Sequence, residues 1–187
     1  MAKPTGTPET RLVVIRGNSG SGKSTIARRL RHEYGRGCAL VEQDYLRRIV
    51  LRERDLPGGN AAALIEQTVR FALDHGYHAV LEGILLRDRY GPMLTALRKA
   101  HLGRTSVFYL DVSLAETLRR HRTRPQATEF TPADMRGWYA PRDLLGVDDE
   151  QVIPESSTLD ATVARIAAAA GLALTGRDED VPPVHRT

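Results

Sequence analysis

Short apolar runs alternate with longer segments along the 187 residues of this chain. Four of the runs, at residues 12–15, 38–41, 78–81 and 107–110, have the length and composition of strands that are buried on both faces. A fifth and weaker run lies at residues 151–153. The hydrophobic pattern therefore predicts five strands.

Helical periodicity occupies the segments between these runs. Ile65, Val69 and Leu73 recur every four residues, and residues 159–170 carry a second apolar stripe that stops at Gly171. Strands that alternate with helices favour an α/β fold, with a parallel sheet covered by helices on both faces. Because the chain shows neither a repeat nor a second core, we expect a single domain over residues 11–175.

Composition adds a few limits to this picture. The two ends, residues 1–10 and 176–187, are rich in Pro, Thr, Gly and charged residues, so we predict loose tails there. No apolar run approaches the roughly 20 residues needed to cross a bilayer, and the start of the chain lacks the apolar core of a signal peptide. The single cysteine, Cys38, agrees with a reducing compartment. We therefore predict a cytoplasmic protein with no membrane partner.

A glycine-rich stretch, RGNSGSGKST, contains Lys23, one of only three lysines among 27 basic residues. From Gly17 to Ser24 it matches the phosphate-loop pattern G-x-x-x-x-G-K-[ST], with an apolar strand before it and a helical segment after it. Glycines let successive backbone N–H groups point inward at an anion, and a lysine ammonium is compact enough to follow a phosphoryl group inside the loop. The Ser24 hydroxyl suits Mg²⁺, which prefers oxygen ligands. The predicted nucleotide-binding residues of the loop are Gly17, Asn18, Ser19, Gly20, Ser21, Gly22, Lys23, Ser24 and Thr25.

The order of the motifs narrows the class of nucleotide-binding protein. The chain has neither the Asn-Lys-x-Asp guanine signature nor the Leu-Ser-Gly-Gly signature of transporter ATPases, and it is too short for a hexameric ATPase module with a helical lid domain. The segments GNSGSGKST, VEQDYLRR, VLEGIL and FYLDVSLAETLRRHRTRP together resemble the small P-loop kinases. That group includes gluconate, shikimate and adenylylsulfate kinases, chloramphenicol phosphotransferase, zeta toxin and phage polynucleotide kinase.

The resemblance covers about residues 11–172. It implies a three-layer P-loop NTPase fold, with a five-stranded parallel sheet in the order 2-3-1-4-5, helices on both faces and a mobile lid. The longest stretch without clear periodicity, about residues 123–149, is where we expect the lid, with a short helix over residues 131–138. Trp138 and Tyr139 in this stretch would either stack on an acceptor ring or anchor the lid.

Asp44 follows the second predicted strand, at the edge where a parallel sheet presents its ligands. The resemblance implies that this carboxylate meets the acceptor hydroxyl and takes or orients its proton. A structural alternative is that Asp44 caps a helix over residues 45–52, and the two roles are compatible. Arg47 and Arg48 follow, either to hold an anionic acceptor or to form a solvated helix face.

Glu82 ends the third predicted strand after four apolar residues, where an unpaired carboxylate would be costly in a core. The resemblance implies that it holds a metal-bound water or the substrate. Four arginines, Arg119, Arg120, Arg122 and Arg124, crowd the end of a predicted helix over residues 115–121. The resemblance implies one arginine against the adenine and another, four residues on, against the phosphates, a spacing that Arg120 and Arg124 have. A basic helix end favoured by the helix dipole is the structural alternative.

Two further sequence features bear on which ligands the site would hold. Residues 154–158 lie where the resembling kinases wrap the adenine, although hydroxyl groups that cap the following helix explain them more simply. The six histidines show no metal-ligand spacing, so we predict no zinc site.

Together these observations predict an ATP- and Mg²⁺-dependent kinase that phosphorylates a hydroxyl group of a small molecule, such as a sugar, nucleoside, antibiotic or polyol. Lys23, Asp44 and Arg124 are the predicted catalytic residues. One alternative is a kinase of nucleic-acid 5′-hydroxyl ends, with a groove lined by Arg47, Arg48 and Arg52. The other is a non-catalytic nucleotide-dependent switch. Fold alone does not choose among the acceptors.

Overall fold

A computed structural model describes residues 3–122 and 131–175 of the chain. Its centre is a five-stranded sheet in the order β2-β3-β1-β4-β5, in which every neighbouring pair of strands is parallel. The strands are β1 (Arg11–Gly17), β2 (Cys38–Glu42), β3 (His78–Gly83), β4 (Arg104–Asp111) and β5 (Glu150–Pro154). All five predicted strands and the order implied by the resemblance are confirmed.

Helices connect these strands and cover both faces of the sheet. Within the described residues they are α1 (Lys23–Tyr34), α2 (Ala61–Asp74), α3 (Arg87–Ala100), α4 (Leu114–His121), α5 (Pro132–Trp138) and α6 (Leu159–Ala170). The predicted helices over residues 115–121 and 131–138 correspond to α4 and α5, with ends that differ by one residue. No helix of the described residues is long and apolar enough to traverse a bilayer.

The core has two halves because successive strand residues point to opposite faces. On one face, Leu12 and Val14 of β1 pack in a cluster with residues of α2 and α3. On the other face, Val13 and Ile15 pack in a cluster with residues of α1 and α6. The apolar runs are continuous rather than alternating because both faces of the sheet are buried.

The chain after β2 differs from the predicted α-helix over residues 45–52. It forms a short π-helix, Tyr45–Val50, and the N–H of Leu51 donates to the Leu46 carbonyl at 3.0 Å. Arg52 then adopts a positive φ of 55°, which ends the helical path. Asp44 therefore stands at the start of a wider and shorter turn than expected.

The N-terminal residues also differ from the expected loose tail. Thr5 pairs with His101 in an isolated parallel bridge, and its hydroxyl donates to Asp74 Oδ1 at 2.7 Å. The hydroxyl of Thr10 lies 2.9 Å from His101 Nε2, in a buried contact. Residues 3–10 thus pack on the domain through polar pairs rather than apolar burial, which is why composition did not reveal them. The other predicted tail, residues 176–187, lies outside the described residues.

Side-chain caps fix the starts of two helices near the site. The Thr131 hydroxyl accepts from the N–H of Asp134, whose carboxylate accepts in return from the Thr131 N–H, so α5 begins with a capping box. The Thr158 hydroxyl accepts from the N–H of Ala161 at 3.2 Å and starts α6. For Thr158 the capping role expected from the sequence is confirmed.

Candidate functional site

The glycine-rich loop joins β1 to α1 at the carboxyl edge of the sheet, in the middle of the strand order. Gly17, Gly20 and Gly22 have φ values of 144°, 85° and 103°, which other residues rarely adopt. A Cβ at Gly17 would lie 2.9 Å from the carbonyl oxygen of Leu110, and one at Gly20 would lie 2.8 Å from that of Thr117. The loop can take this shape only with glycine at both positions.

Lys23 begins α1, with its side chain folded back over the loop. Its Nζ donates to the backbone carbonyl of Asn18 at 2.9 Å, and the residue is buried. The N–H of Ser21 also donates to this carbonyl, at 3.1 Å. The buried Ser21 hydroxyl has no hydrogen-bond partner among the described residues. A buried polar atom left unsatisfied in a glycine-rich loop at the start of a helix fits an anionic ligand.

Glu82 lies one residue before the end of β3, beside this loop. It is buried, and the Ser24 hydroxyl donates to its Oε1 at 2.9 Å. Burial raises the pKa of Glu82 above its ordinary value, and Lys23 and the Ser24 hydrogen bond oppose the increase. The negative charges of Glu42 and Asp44 raise the pKa of Glu82 further. The structure therefore brings Lys23, Ser24, Asp44 and Glu82 within electrostatic reach of one another. Hydroxyl and carboxylate oxygens are the ligands that Mg²⁺ prefers, so this pair fits that cation.

Asp44 lies half-exposed after β2, between two guanidinium groups. Its Oδ1 contacts Arg47 Nη2 at 2.6 Å, and its Oδ2 contacts Arg48 Nη1 at 3.2 Å. The side chain makes no capping hydrogen bond, so the structural alternative in which Asp44 caps a helix does not hold. Asp44 has helical backbone angles (φ −66°, ψ −36°), whereas a capping residue typically adopts extended ones. Arg47 and Arg48 hold this carboxylate in the structure rather than forming a purely solvated face.

A cavity of about 320 Å³ opens beside the loop, between the end of β4 and the β5–α6 connection. Gly22, Thr25 and Pro154 are part of its lining, as is Arg120. The Arg120 guanidinium spans the cavity wall, because Nη1 donates to the Ser21 carbonyl at 3.0 Å and Nη2 donates to the Glu155 carbonyl at 3.2 Å. Arg120 thus lies where a ligand of the loop would continue into the cavity.

The predicted lid is described only in part. Arg124 falls at residues 123–130, outside the described residues. In the remainder, Met135 is the buried side chain of α5, and Trp138 is about half exposed. The Tyr139 hydroxyl donates to the carbonyl of Val112 at 3.1 Å. Of the two roles left open for Trp138 and Tyr139, the hydrogen bond of the Tyr139 hydroxyl favours an anchor, to which the buried Met135 also contributes.

Arg16, the residue before the loop, was not among the predicted site residues. Its guanidinium is fully buried and contacts Asp143 Oδ2 at 2.9 Å and Glu150 Oε1 at 2.8 Å. Its Nε and Nη2 also donate to the carbonyl of Leu85. A charged residue inside an otherwise apolar strand is the sequence signal that could have revealed this ion pair, since buried charges are nearly always paired.

The side chain of Asn18 is directed away from the loop interior. Its Nδ2 donates to the carbonyl of Ala140 at 2.8 Å, and its Oδ1 accepts from the N–H of Ala140 at 2.9 Å. With the side chain paired to Ala140, the backbone of Asn18 is the part that remains for the predicted contact with a nucleotide.

Comparisons with known proteins agree with this architecture. A family model described as "AAA domain" (AAA_33) matches residues 12–141. No curated protein sequence matches the chain significantly. Among solved structures, a sugar kinase from Janibacter sp. HTCC2649 is similar, with 18% identity, a TM-score of 0.66 and coverage of 88% of this chain and 96% of that one.

Two further structures have the same fold. The tunicamycin resistance protein of Deinococcus radiodurans has 19% identity and a TM-score of 0.61, over 89% of this chain and 98% of that one. The APS kinase of Mycobacterium tuberculosis, in complex with AMPPNP and APS, has 18% identity and a TM-score of 0.63, over the same shares of the two chains. At such identities the likeness shows the fold alone. The family match spans more than half of the chain, and the chain therefore belongs to the family that this model describes as "AAA domain" (AAA_33).

Proposed function

We propose that this protein transfers the terminal phosphoryl group of ATP to a hydroxyl group of a small molecule. The observation that carries the proposal is the convergence of Lys23, Ser24, Asp44 and Glu82 at one edge of the sheet, beside a loop shaped for an anion. These residues supply a phosphate-binding cation, oxygen ligands for a metal, and a carboxylate that can accept a proton.

The glycine-rich loop is proposed to hold the phosphates through its backbone N–H groups. Lys23 exchanges its hydrogen bond with the Asn18 carbonyl for one with a phosphate oxygen. The cavity that Arg120 borders receives the base and sugar, because it opens directly from Gly22 and Thr25 of the loop. This arrangement supports ATP as the phosphoryl donor.

Ser24 and Glu82 are proposed to hold Mg²⁺. Because the Ser24 hydroxyl donates its proton to Glu82, its oxygen lone pairs stay available to a cation. When bound, Mg²⁺ neutralises part of the negative charge on the phosphates. The contact between Ser24 and Glu82 favours a role of Glu82 on the metal side of the site rather than on the acceptor side.

Asp44 is proposed to accept or orient the proton of the acceptor hydroxyl. Its carboxylate is half-exposed, so a substrate can reach it. Arg47 and Arg48 already contact both carboxylate oxygens, so an acceptor hydroxyl has to share or replace one of these contacts. An acceptor that also carries an anionic group would give the displaced guanidinium group of Arg47 or Arg48 a new partner. The similar structures named as a sugar kinase and an APS kinase support a small hydroxyl-bearing molecule.

A screen of ADP release tests this function. Purified protein with Mg²⁺ and ATP is offered sugars, polyols, nucleosides, adenylylsulfate and a 5′-hydroxyl oligonucleotide. We expect one class of small molecules to stimulate ADP release and to yield a phosphorylated product by mass spectrometry. Stimulation by the oligonucleotide alone would favour the nucleic-acid kinase. Slow hydrolysis that no acceptor changes would favour the switch.

Variants separate the roles of Lys23 and Asp44 in the same assay. Lys23→Ala should abolish transfer and weaken ATP binding, whereas the exposed Lys99→Ala serves as the control for loss of a lysine charge. Asp44→Asn should leave ATP affinity within a few-fold and lower turnover by roughly 10²–10⁴, the usual range for loss of general-base catalysis. The exposed Asp160→Asn is its matched control. Normal turnover in Asp44→Asn would remove Asp44 from the chemistry.

A further inference from the structure

The side-chain amide of Asn18 pairs with the backbone of a single residue, Ala140. Both amide atoms take part, since Nδ2 donates at 2.8 Å and Oδ1 accepts at 2.9 Å. Nδ2 also lies 3.3 Å from the Tyr109 hydroxyl. Asn18 is 4% exposed, so water hardly competes for these bonds. A buried double hydrogen bond of this kind fixes both the position and the orientation of the segment that it holds.

The backbone of Asn18 faces the phosphate-binding side at the same time. Its carbonyl accepts from Lys23 Nζ at 2.9 Å and from the N–H of Ser21 at 3.1 Å. One residue therefore connects the lysine of the loop with Ala140, which lies 122 positions further along the chain. No other part of the amide remains to meet a phosphate.

The segment that Asn18 holds is also bonded to β1 itself, three residues after Ala140. The carboxylate of Asp143 accepts from Arg16 Nη2 at 2.9 Å and from the N–H of Arg87 at 2.9 Å. The Tyr109 hydroxyl lies between the two attachments, because it donates to the Ala140 carbonyl at 3.3 Å and accepts from the Asp143 N–H at 3.2 Å. Residues 140–143 are thus held both by Arg16, near the end of β1, and by Asn18, at the start of the loop.

We propose that Asn18 is a positioning residue that couples the loop to residues 140–143, and through them to α5. The proposal rests on the proposed function for its kinetic part only. When a phosphate draws Lys23 away from the Asn18 carbonyl, the pair with Ala140 keeps this part of the loop in place. α5 in turn stays against the loop, where Met135 lies close to Gly20. The Asn18 amide thus affects the geometry of phosphoryl transfer and does not contact the nucleotide itself.

Hydrogen exchange without nucleotide tests the coupling directly. In Asn18→Ala the backbone amides of residues 139–143 should exchange about tenfold faster, as expected for loss of buried hydrogen bonds. The β1 amides should not change. The matched control is Asn60→Ala, because Asn60, the other asparagine of the chain, makes no side-chain cap bond. Unchanged exchange at residues 139–143 in Asn18→Ala would overturn the proposal, whether or not the protein is a kinase.

Kinetics then distinguish coupling from direct nucleotide binding. Asn18→Ala should lower kcat about tenfold and change the ATP dissociation constant less than threefold, since the amide does not face the nucleotide. Ala140→Pro removes the N–H that Asn18 accepts, and the extended backbone of Tyr139 (φ −68°, ψ 118°) tolerates a following proline. If Asn18 acts through Ala140, the double variant is no slower than the slower single variant.

Multiplied effects in the double variant, or a large loss of ATP affinity in Asn18→Ala alone, would overturn the coupling. Tyr109→Phe provides a milder perturbation of the same junction if either variant folds poorly, because it removes only the hydroxyl between Ala140 and Asp143. It should accelerate exchange at residues 139–143 in the same direction, and unchanged exchange there would count against the proposal. Failure of the wild-type protein to transfer phosphate to any acceptor would instead refute the proposed function and leave the exchange result standing.

Discussion

His101 makes the stability of the fold depend on pH. It follows the last residue of α3 and is 8% exposed. Its ring nitrogens lie 2.9 Å from the Thr10 hydroxyl and 2.8 Å from the Thr105 hydroxyl, which satisfy a neutral imidazole. The pKa of His101 is lowered from 6.5 to about 4, mainly because burial disfavours the charged ring and to a smaller extent because of the charges of Arg11 and His78. The native state therefore holds this ring uncharged.

The sign of the effect follows from which state binds the proton. Below pH 6.5 the His101 ring of the unfolded chain is protonated, while that of the folded chain stays neutral down to a pKa of about 4. The free energy of unfolding therefore falls as the pH falls from 6.5 to about 4, and the stability that comes from the neutral ring is fully present above pH 6.5. At about 1.4 kcal/mol for each pKa unit, the loss from this single ring approaches roughly 3 kcal/mol.

Urea denaturation of the wild-type protein and of His101→Gln between pH 7.5 and pH 4 measures this contribution. Glutamine can still bond to both threonines but does not titrate in this range, so the variant should lose roughly 3 kcal/mol less than the wild type over the window. The exposed His75→Gln should behave like the wild type. Parallel pH curves for wild type and His101→Gln would show that the pKa of the ring is not depressed and would refute the reasoning.

Two further predictions concern packing and the buried ion pair. A Cβ at Gly103 would lie 2.1 Å from the carbonyl oxygen of Thr10, so Gly103→Ala should destabilise the protein by about 2–3 kcal/mol. A Cβ at Gly137, in α5, would meet open space. Gly137→Ala should therefore be neutral or stabilising by up to about 1 kcal/mol. Equal denaturation midpoints for these two variants would contradict the packing of residues 3–10. Arg16→Met leaves the nearly buried Glu150 without its guanidinium partner and should lower the free energy of unfolding by about 3–5 kcal/mol. Combining Arg16→Met with Glu150→Gln should recover most of this loss. An equal loss in the single and the double variant would contradict the ion-pair explanation.

The fold was largely predictable from local patterns because burial leaves a regular trace in the sequence. The runs at residues 12–15 and 107–110 are apolar at every position since β1 and β4 are covered on both faces. The phosphate loop was equally clear, because its pattern fixes the residue type and spacing of Gly17, Gly22, Lys23 and Ser24. The strand order left no such trace, because periodicity does not record which strands are neighbours. That order came from the resemblance to the small P-loop kinases.

Polar contacts between distant residues were much harder to predict. Thr5 and Thr10 looked like part of a loose tail, because their burial depends on Asp74 and His101, far along the chain. The sequence left open whether Asp44 caps a helix, because a cap depends on backbone angles that composition does not reveal. A hydroxyl or carboxylate group can form hydrogen bonds with many kinds of partner. Which partner it binds depends on the tertiary structure and not on the neighbouring residues in the sequence.

Arg16 and Asn18 show how much of a phosphate loop can serve a structural purpose. Their side chains are fully occupied by Asp143, Glu150 and Ala140, whereas Lys23 and Ser24 remain on the side proposed to face the nucleotide. The motif specifies glycines, a lysine and a hydroxyl, which are the groups that phosphate chemistry needs. It leaves the second position of the loop open, and this chain uses that position to hold residues 140–143. Variation at such open positions is therefore expected to change how the loop is supported while the phosphate-binding groups stay the same.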